Sequence, residues 1–257
     1  MKKTVLFFML FAILIGNFMF PAQAQAVLHQ WYCKHVKDHA QPPLDQRLSF
    51  VEEHDAYYID RRHTDANAEE KVIYLTFDAG YENGNIEKIL DTMKLEGVTG
   101  AFFILSNLII KNPDLVKRMA DEGHLVCNHT YNHKNMTRLT DDEILNNLKR
   151  LENLYRDVTG REMEKLFRFP EGKYSHNTLR LISENGYKIV FWSMAYDDWD
   201  NSRQMSLELA KNKLLSTTHN GAILLLHPTS STNAAILGDL IRHWKSEGYT
   251  FGSIKDI

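Results

Sequence analysis

The strongest constraint on the fold is a regular alternation of short apolar segments with segments of helical periodicity, which begins near Lys71 and continues to the C-terminus. Residues 72–77 are a β-branched and aromatic run that predicts a strand, and residues 85–96 carry apolar side chains at helical spacing and stop at Gly97. Parallel strands must be joined by crossovers, which are usually helices. The alternation therefore predicts an α/β fold built on a mostly parallel sheet.

The pattern predicts about seven strands with helices between them. The strands are predicted at residues 72–77, 98–105, 125–128, 166–169, 187–192, 222–226 and 249–251. The helices are predicted at residues 85–96, 112–123, 140–160, 175–185, 204–216 and 233–247. Right-handed crossovers put the helices on one side of a closing sheet, which favours a barrel with outer helices. An open, doubly wound sheet is the structural alternative.

The N-terminal 26 residues are typical of a secretory signal. Lys2 and Lys3 precede an apolar stretch at residues 5–20, and small residues then offer cleavage sites after Ala24 or Ala26. An uncleaved anchor helix is the alternative, although the stretch is just shorter than a bilayer span. We therefore expect an exported chain with three parts: the signal at 1–26, an irregular lead-in at 27–70, and one domain at 71–257.

Charge and cysteine content exclude several classes of protein. The 257 residues carry a formal net charge of -3 without a long basic run, so we do not expect nucleic acid as a partner. We also expect no nucleotide cofactor. Cys33 and Cys127 are too few for a disulfide scaffold. Cys127 lies in an apolar run and is interpreted as a small buried hydrophobe. A Cys33–Cys127 bridge and a metal-ligand role for Cys127 stay open as alternatives.

Polar side chains follow five of the predicted strands, where reactive groups of parallel α/β folds collect. One such residue alone is most often a helix cap or a solvated loop group, but five together predict one site. The candidates are Asp78, the pair His129 and His133, Arg168, Asp198 and His227.

These residue types suggest distinct roles. His129 and His133 are four apart, so on a helical turn both imidazoles would face one way, as a zinc-type ion prefers; two solvated histidines are the alternative. Asp78 could act as a carboxylate base, and Asp198 could orient a partner or shift its pKa. His227 is either a general acid or a buried core histidine. Other histidines (His124, His219 and His243) are interpreted as structural.

The order Thr-Phe-Asp, His-x-x-x-His, Arg-x-Pro, Asp-Trp and Leu-x-His over residues 71–257 resembles the polysaccharide deacetylases, which share the NodB-homology domain. The resemblance implies a distorted, incomplete (β/α) barrel that removes N- or O-acetyl groups from glycans. It implies Asp78 as catalytic base, His129 and His133 as ligands of a divalent metal, and His227 as general acid. The expected ion is zinc, with magnesium, manganese or cobalt as alternatives.

The same resemblance implies supporting roles at further positions. Arg168 would hold the base, Asp198 would tune the acid, and Trp199 would line the acetyl pocket. Tyr131 and Tyr174 are further candidates for contact with the substrate. We expect the partner to be a peptidoglycan glycan strand and the protein to be a monomer.

Two positions depart from the family pattern. Ala79 replaces the second aspartate that usually completes the metal triad, so weaker metal affinity is expected unless Asp78 also ligates. Glu171 stands where relatives often have an aromatic residue.

Residues 76–84 are similar to the branch of muramic-acid deacetylases of endospore formers, which also lack that aspartate. This implies de-N-acetylation of peptide-stripped muramic acid for the δ-lactam of spore cortex, in the cell envelope or the forespore intermembrane space. The alternatives are an N-acetylglucosamine deacetylase acting on peptidoglycan or chitin, a non-catalytic glycan-binding relative, and a metal-free glycosidase using Asp78 and Asp198.

Overall fold

A computed structural model describes residues 27–34, 36, 39–63 and 70–257, in which a parallel sheet curls around an apolar interior. The predicted signal at residues 1–26 lies outside the described residues. Within the described part of the chain, no helix has the length and apolar character needed to cross a bilayer.

The order of elements follows the predicted alternation. The strands are β1 His29–Gln30, β2 Ala56–Tyr57, β3 Lys71–Ala79, β4 Ala101–Ile104, β5 Leu125–Asn128, β6 Glu164–Phe167, β7 Lys173–Tyr174, β8 Lys188–Val190, β9 Ala222–Leu226 and β10 Tyr249–Phe251. The α-helices are α1 Ile86–Glu96, α2 Ser106–Lys111, α3 Pro113–Asp121, α4 Asp141–Thr159, α5 His176–Glu184, α6 Leu207–Thr217 and α7 Ser231–Ser246. Short 3-10 helices occur at Gln46–His54, Met136–Arg138, Pro170–Gly172 and Ile254–Asp256.

Seven parallel strands form the curled sheet in the order β9-β3-β4-β5-β6-β8-β2, and β10 pairs with the first residues of β3. Met194, just after β8, forms a parallel bridge with Leu224 of β9, so the sheet nearly closes on itself. An open doubly wound sheet would keep its two edges apart. The predicted distorted, incomplete (β/α) barrel is therefore confirmed.

Strand phase separates an inner from an outer layer, because successive side chains of a strand face opposite sides. Ile73, Leu75 and Phe77 of β3 belong to a buried cluster shared with the outer helices. Val72 and Tyr74, from the other phase of β3, belong to a separate buried cluster that fills the barrel. The inner phase of β3 continues to Asp78, which places this carboxylate at the mouth of the barrel.

The lead-in contributes regular structure that its sequence does not reveal. β2 pairs in parallel with β8 at one edge of the curled sheet, and β1 pairs antiparallel with β7. Strands of two residues are too short to show a period of two, so the pattern could not predict them. The sequence pattern also misses the short helix α2, which lies between the predicted strand at 98–105 and the predicted helix at 112–123.

Both cysteines are free. Cys127 is fully buried in the apolar cluster inside the barrel, which confirms its interpretation as a small hydrophobe. Cys33 is only partly buried and lies in the lead-in. The alternative of a Cys33–Cys127 bridge was therefore wrong.

Candidate active site

Asp78 is held in place by Arg168, which follows β6 on the inner phase of the barrel. Nη1 of Arg168 donates to Oδ1 of Asp78 at 2.8 Å, and Nη2 donates to the Thr76 hydroxyl at 2.7 Å. Nε donates to the Val190 carbonyl at 2.9 Å. The guanidinium is fully buried and lies 4.2 Å from the centre of the Phe103 ring. Every polar edge of Arg168 is thus engaged, which fixes the position of the carboxylate.

The charges around Asp78 keep it ionised. Burial alone would raise the pKa of Asp78, but the nearby positive charges, that of Arg168 above all, outweigh it and lower the pKa below its usual 3.8. Oδ1 is occupied by the guanidinium, whereas Oδ2 faces Nε2 of His129 at 3.5 Å. Asp78 therefore has one oxygen held by the protein and one available to accept a proton.

His227, the first residue after β9, is paired with the buried carboxylate of Asp198. Nδ1 of His227 lies 2.7 Å from Oδ1 of Asp198, and the backbone N–H of His227 donates to Oδ2 at 2.7 Å. Asn233 in the first turn of α7 donates to Oδ2 of Asp198 at 2.6 Å. These contacts orient the imidazole with Nε2 as its free nitrogen.

The Asp198 pairing favours the charged form of His227. Burial alone would lower the pKa of His227, but the charge and hydrogen bond of Asp198, together with the charge of Asp78, raise it above 6.5. Because Asp198 is 1% exposed and fully engaged, it is not free to act as the second carboxylate of a glycosidase.

The pH dependence of kcat/KM provides a test of this pairing. The acid form of His227 is lost as pH rises through its raised pKa, which sets the alkaline limb of the profile. Replacing Asp198→Asn removes the charge that raises this pKa, so we expect the alkaline limb to move to lower pH by about one unit. An alkaline limb that stays in place in a folded D198N variant would contradict the assignment of His227.

The two histidines of the predicted metal site come together on a loop and not on a helical turn, which corrects the expectation from their spacing. Residues 129–133 have no helical conformation, and Thr130 and His133 have φ values of 75° and 57°. Positive φ is costly for a β-branched residue such as Thr130. Side chains hold this loop: Asn128 accepts from the Thr130 N–H, and Asn147 of α4 accepts from the Tyr131 N–H. The two imidazole centres are 5.0 Å apart.

The donor chemistry of this pair fits a divalent cation. Nδ1 of His129 faces the Arg168 carbonyl at 2.9 Å and must donate to it, which leaves the Nε2 lone pair directed at Asp78. Burial lowers the pKa of His129 to about 4 and also lowers that of His133, so both rings are neutral ligands at neutral pH. No group of three or more His, Cys, Asp or Glu side chains in the described chain is arranged to enclose an ion. Ala79 is fully buried and supplies no ligand, so the set is one donor short of the usual three.

A groove of about 710 Å³ runs over these residues. It is lined by Asp78, His129, His133, His227 and Trp199 among others, so most of the predicted site residues meet at one rim. Trp199 is 61% exposed, which suits an aromatic platform for a sugar.

The two tyrosine candidates do not line this groove. Tyr174 is fully buried in β7 against His29 and Phe50, and its hydroxyl has no hydrogen-bond partner among the described residues. The Tyr131 ring lies 4.0 Å from the guanidinium of Arg150 on α4. The structure therefore places neither tyrosine on the groove wall, and contact of Tyr131 or Tyr174 with substrate stays a prediction.

Several groove residues carried no sequence signal. Gln30, Trp31 and Tyr32 come from the lead-in, and Lys213 comes from the middle of α6. Asn233 supports Asp198 from the start of α7. Aromatic residues in an otherwise polar lead-in indicate that part of it packs against the domain, but nothing in the sequence places them beside the barrel mouth. Two of the histidines that are predicted to be structural lie outside the groove. His124 accepts a hydrogen bond from the Gly100 N–H, and His219 contacts the Ser193 hydroxyl.

Comparisons with known proteins agree with this geometry. A family model described as polysaccharide deacetylase matches residues 65–190. The chain is 39% identical over 240 residues to the peptidoglycan-N-acetylmuramic acid deacetylase PdaA of Bacillus subtilis (strain 168), covering 92% of this chain and 89% of that protein. It is 33% identical over 187 residues to the peptidoglycan-N-acetylglucosamine deacetylase PgdA of Listeria monocytogenes, covering 73% of this chain and 39% of that protein.

The solved structure of Bacillus subtilis PdaA, described as a family 4 carbohydrate esterase, superposes with a TM-score of 0.83 at 38% identity. The match covers 89% of this chain and 96% of that chain. With the carboxylate, the imidazole and the histidine pair at one rim of the same fold, this chain belongs to the polysaccharide deacetylase family and is a hydrolase that acts on amide bonds of a glycan.

Proposed function

We propose that this protein removes the N-acetyl group from muramic acid of peptidoglycan after the peptide has been cleaved off. The observation that carries the proposal is a pair of opposed groups on one groove: an ionised carboxylate held by Arg168 and an imidazole whose pKa is raised by Asp198. Such a pair suits hydrolysis of an amide, which needs both a base and an acid. The printed activity of the 39% identical relative supports muramic acid as the substrate.

The residues divide the reaction between them. Asp78 takes a proton from the attacking water, whose oxygen forms a bond to the acetyl carbon. His227 gives its proton to the nitrogen as the carbon–nitrogen bond breaks, because an amine anion is a very poor leaving group. The products are acetate and a free amine. A divalent ion on His129 and His133, for which zinc suits the imidazole donors, would polarise the acetyl carbonyl and lower the pKa of the water.

We further propose a role in spore cortex, which the free amine product supports. On muramic acid it lies beside the lactyl carboxyl, and condensation of the two groups with loss of water gives the muramic δ-lactam. This setting requires export, which rests on the signal predicted at residues 1–26. We place the protein in the cell envelope or the forespore intermembrane space, acting as a monomer on the glycan strand.

Metal removal tests the role of the histidine pair. We expect a chelator to abolish acetate release and zinc to restore it, with a weaker affinity than a three-ligand site because Ala79 gives no third donor. Calorimetric titration of zinc into the chelated protein measures that affinity, and His133→Ala should remove the binding. Full activity of a protein shown by elemental analysis to be free of metal would contradict this role.

A comparison of substrates tests the proposed function. Acetate release is measured on three substrates at equal concentration: acetylated glucosamine oligomers, intact peptidoglycan and peptide-stripped muramyl glycan. We expect the stripped glycan to react with the highest kcat/KM. A preference for the glucosamine oligomers would instead assign an N-acetylglucosamine deacetylase, and binding without acetate release would assign a glycan-binding protein.

A further inference from the structure

Lys213 is a groove residue that the proposed mechanism does not use. It lies in the middle of α6 and lines the groove together with Cys33, Ala195 and His227. Its side chain is partly buried, yet its ammonium forms no hydrogen bond or ion pair with any of the residues the structure describes. By contrast, Lys211 on the same helix pairs with Asp239 at 3.0 Å. Among the described residues, Lys213 thus has no counter-ion, and it presents its positive charge to the groove.

The neighbouring charges do not neutralise Lys213. Asp78 is paired with Arg168, and Glu171 is paired with Lys173. Asp197 also lines the groove, but it is exposed and makes no ion pair with Lys213. Burial raises the pKa of Cys33, so this thiol, which lines the same groove, stays neutral. A partly buried ammonium without a partner gains most from an anion that arrives with the substrate.

The wall of the groove that leads to Cys33 is rigid. Trp31 is buried and stacks on Phe191 with ring centres 4.4 Å apart. Its indole N–H donates to the Trp192 carbonyl at 2.8 Å, and its backbone N–H donates to the Gly172 carbonyl at 2.7 Å. Cys33 follows two residues later. The groove is therefore pre-organised on the side where Lys213 lies, which lowers the entropic cost of binding a sugar there.

We propose that Lys213 determines specificity by binding the free lactyl carboxylate of muramic acid. The inference rests on the proposed function and names the group that is recognised. In muramic acid the lactyl ether is on the ring carbon next to the one that carries the acetamide, so its carboxylate enters the same groove as the reacting amide. With the peptide attached, this group is an uncharged amide, and in glucosamine it is replaced by a hydroxyl. A single cation thereby favours the peptide-stripped glycan over both of the others.

The test measures kcat and KM on peptide-stripped muramyl oligomers and on the same oligomers with the lactyl carboxylate converted to its methyl ester. For the wild-type protein we expect kcat/KM to be about tenfold higher on the acid than on the ester, mainly through KM. In Lys213→Gln that ratio should fall to near one, and Lys213→Arg should keep most of it. Lys211→Gln removes the same charge from the same helix outside the groove and should behave as wild type.

The outcomes separate this inference from the proposed function. If the wild-type protein releases no acetate from the stripped muramyl oligomers, the proposed function fails and this inference fails with it. If the wild-type protein is active and Lys213→Gln keeps the full preference for the acid, only the inference is overturned. The ratio of kcat/KM on the acid to kcat/KM on the ester does not depend on how much of a variant is folded. A merely structural role of Lys213 would therefore leave this ratio unchanged.

Discussion

Asp78→Asn is expected to lower kcat by at least about 10²-fold. Asparagine can still accept the hydrogen bond from Arg168, but it cannot take a proton from water at neutral pH. The loss should therefore appear in kcat more than in KM. Acetate release from peptide-stripped muramyl glycan measures the change.

The free energy of unfolding should also fall in Asp78→Asn, because the fully buried guanidinium of Arg168 loses its counter-ion. Thermal unfolding reports that effect separately, and assays are run well below the midpoint. Asp91→Asn is the matched control, since it removes an aspartate paired with Arg118 at the surface. Near-normal turnover of a folded D78N protein would remove Asp78 from the role of base.

His227→Ala is the second large effect, with an expected loss of at least about 10²-fold in kcat. Without the imidazole, the nitrogen must leave unprotonated, and the buried carboxylate of Asp198 loses the ring that it orients. His243→Ala, at an exposed position of α7, is the control and should keep wild-type turnover.

Added imidazole offers a readout that a folding defect would not give. A small imidazole can enter the space left in the His227→Ala groove and donate the missing proton, so we expect partial recovery of acetate release. Wild-type rates in His227→Ala without added imidazole would overturn its assignment as the acid.

Much of the site could be predicted because strand phase is visible in the sequence. Asp78 is the last residue but one of β3, and His227 directly follows β9. Alternate residues of both strands fill the barrel, so the side chains of Asp78 and His227 continue these inner rows to the barrel mouth. Arg168 is one residue beyond β6, in line with Leu166 of the same inner row. A motif residue at the carboxyl end of an apolar run therefore indicates where the strand ends and whether the side chain faces the barrel interior or the outer helices.

Other features depend on contacts between distant segments, which no local pattern encodes. Tyr174 follows a motif arginine closely, yet the 3-10 turn at Pro170–Gly172 and the pairing of β7 with β1 direct it into the interior. Asn233 reaches Asp198 only because α7 begins beside β9. The His129 and His133 spacing suggested a helical turn, but two positive φ angles replace it.

In the proposed mechanism, one groove places a carboxylate base and an imidazole acid beside the acetamide of a glycan. Peptide-stripped muramyl glycan is incubated with the protein in water enriched in the heavy isotope oxygen-18, and the masses of both products are measured by mass spectrometry. We expect acetate carrying one heavy oxygen, a free amine on muramic acid and a glycan of unchanged length. A shortened glycan, or an intact acetamide after prolonged incubation with metal supplied, would contradict this mechanism.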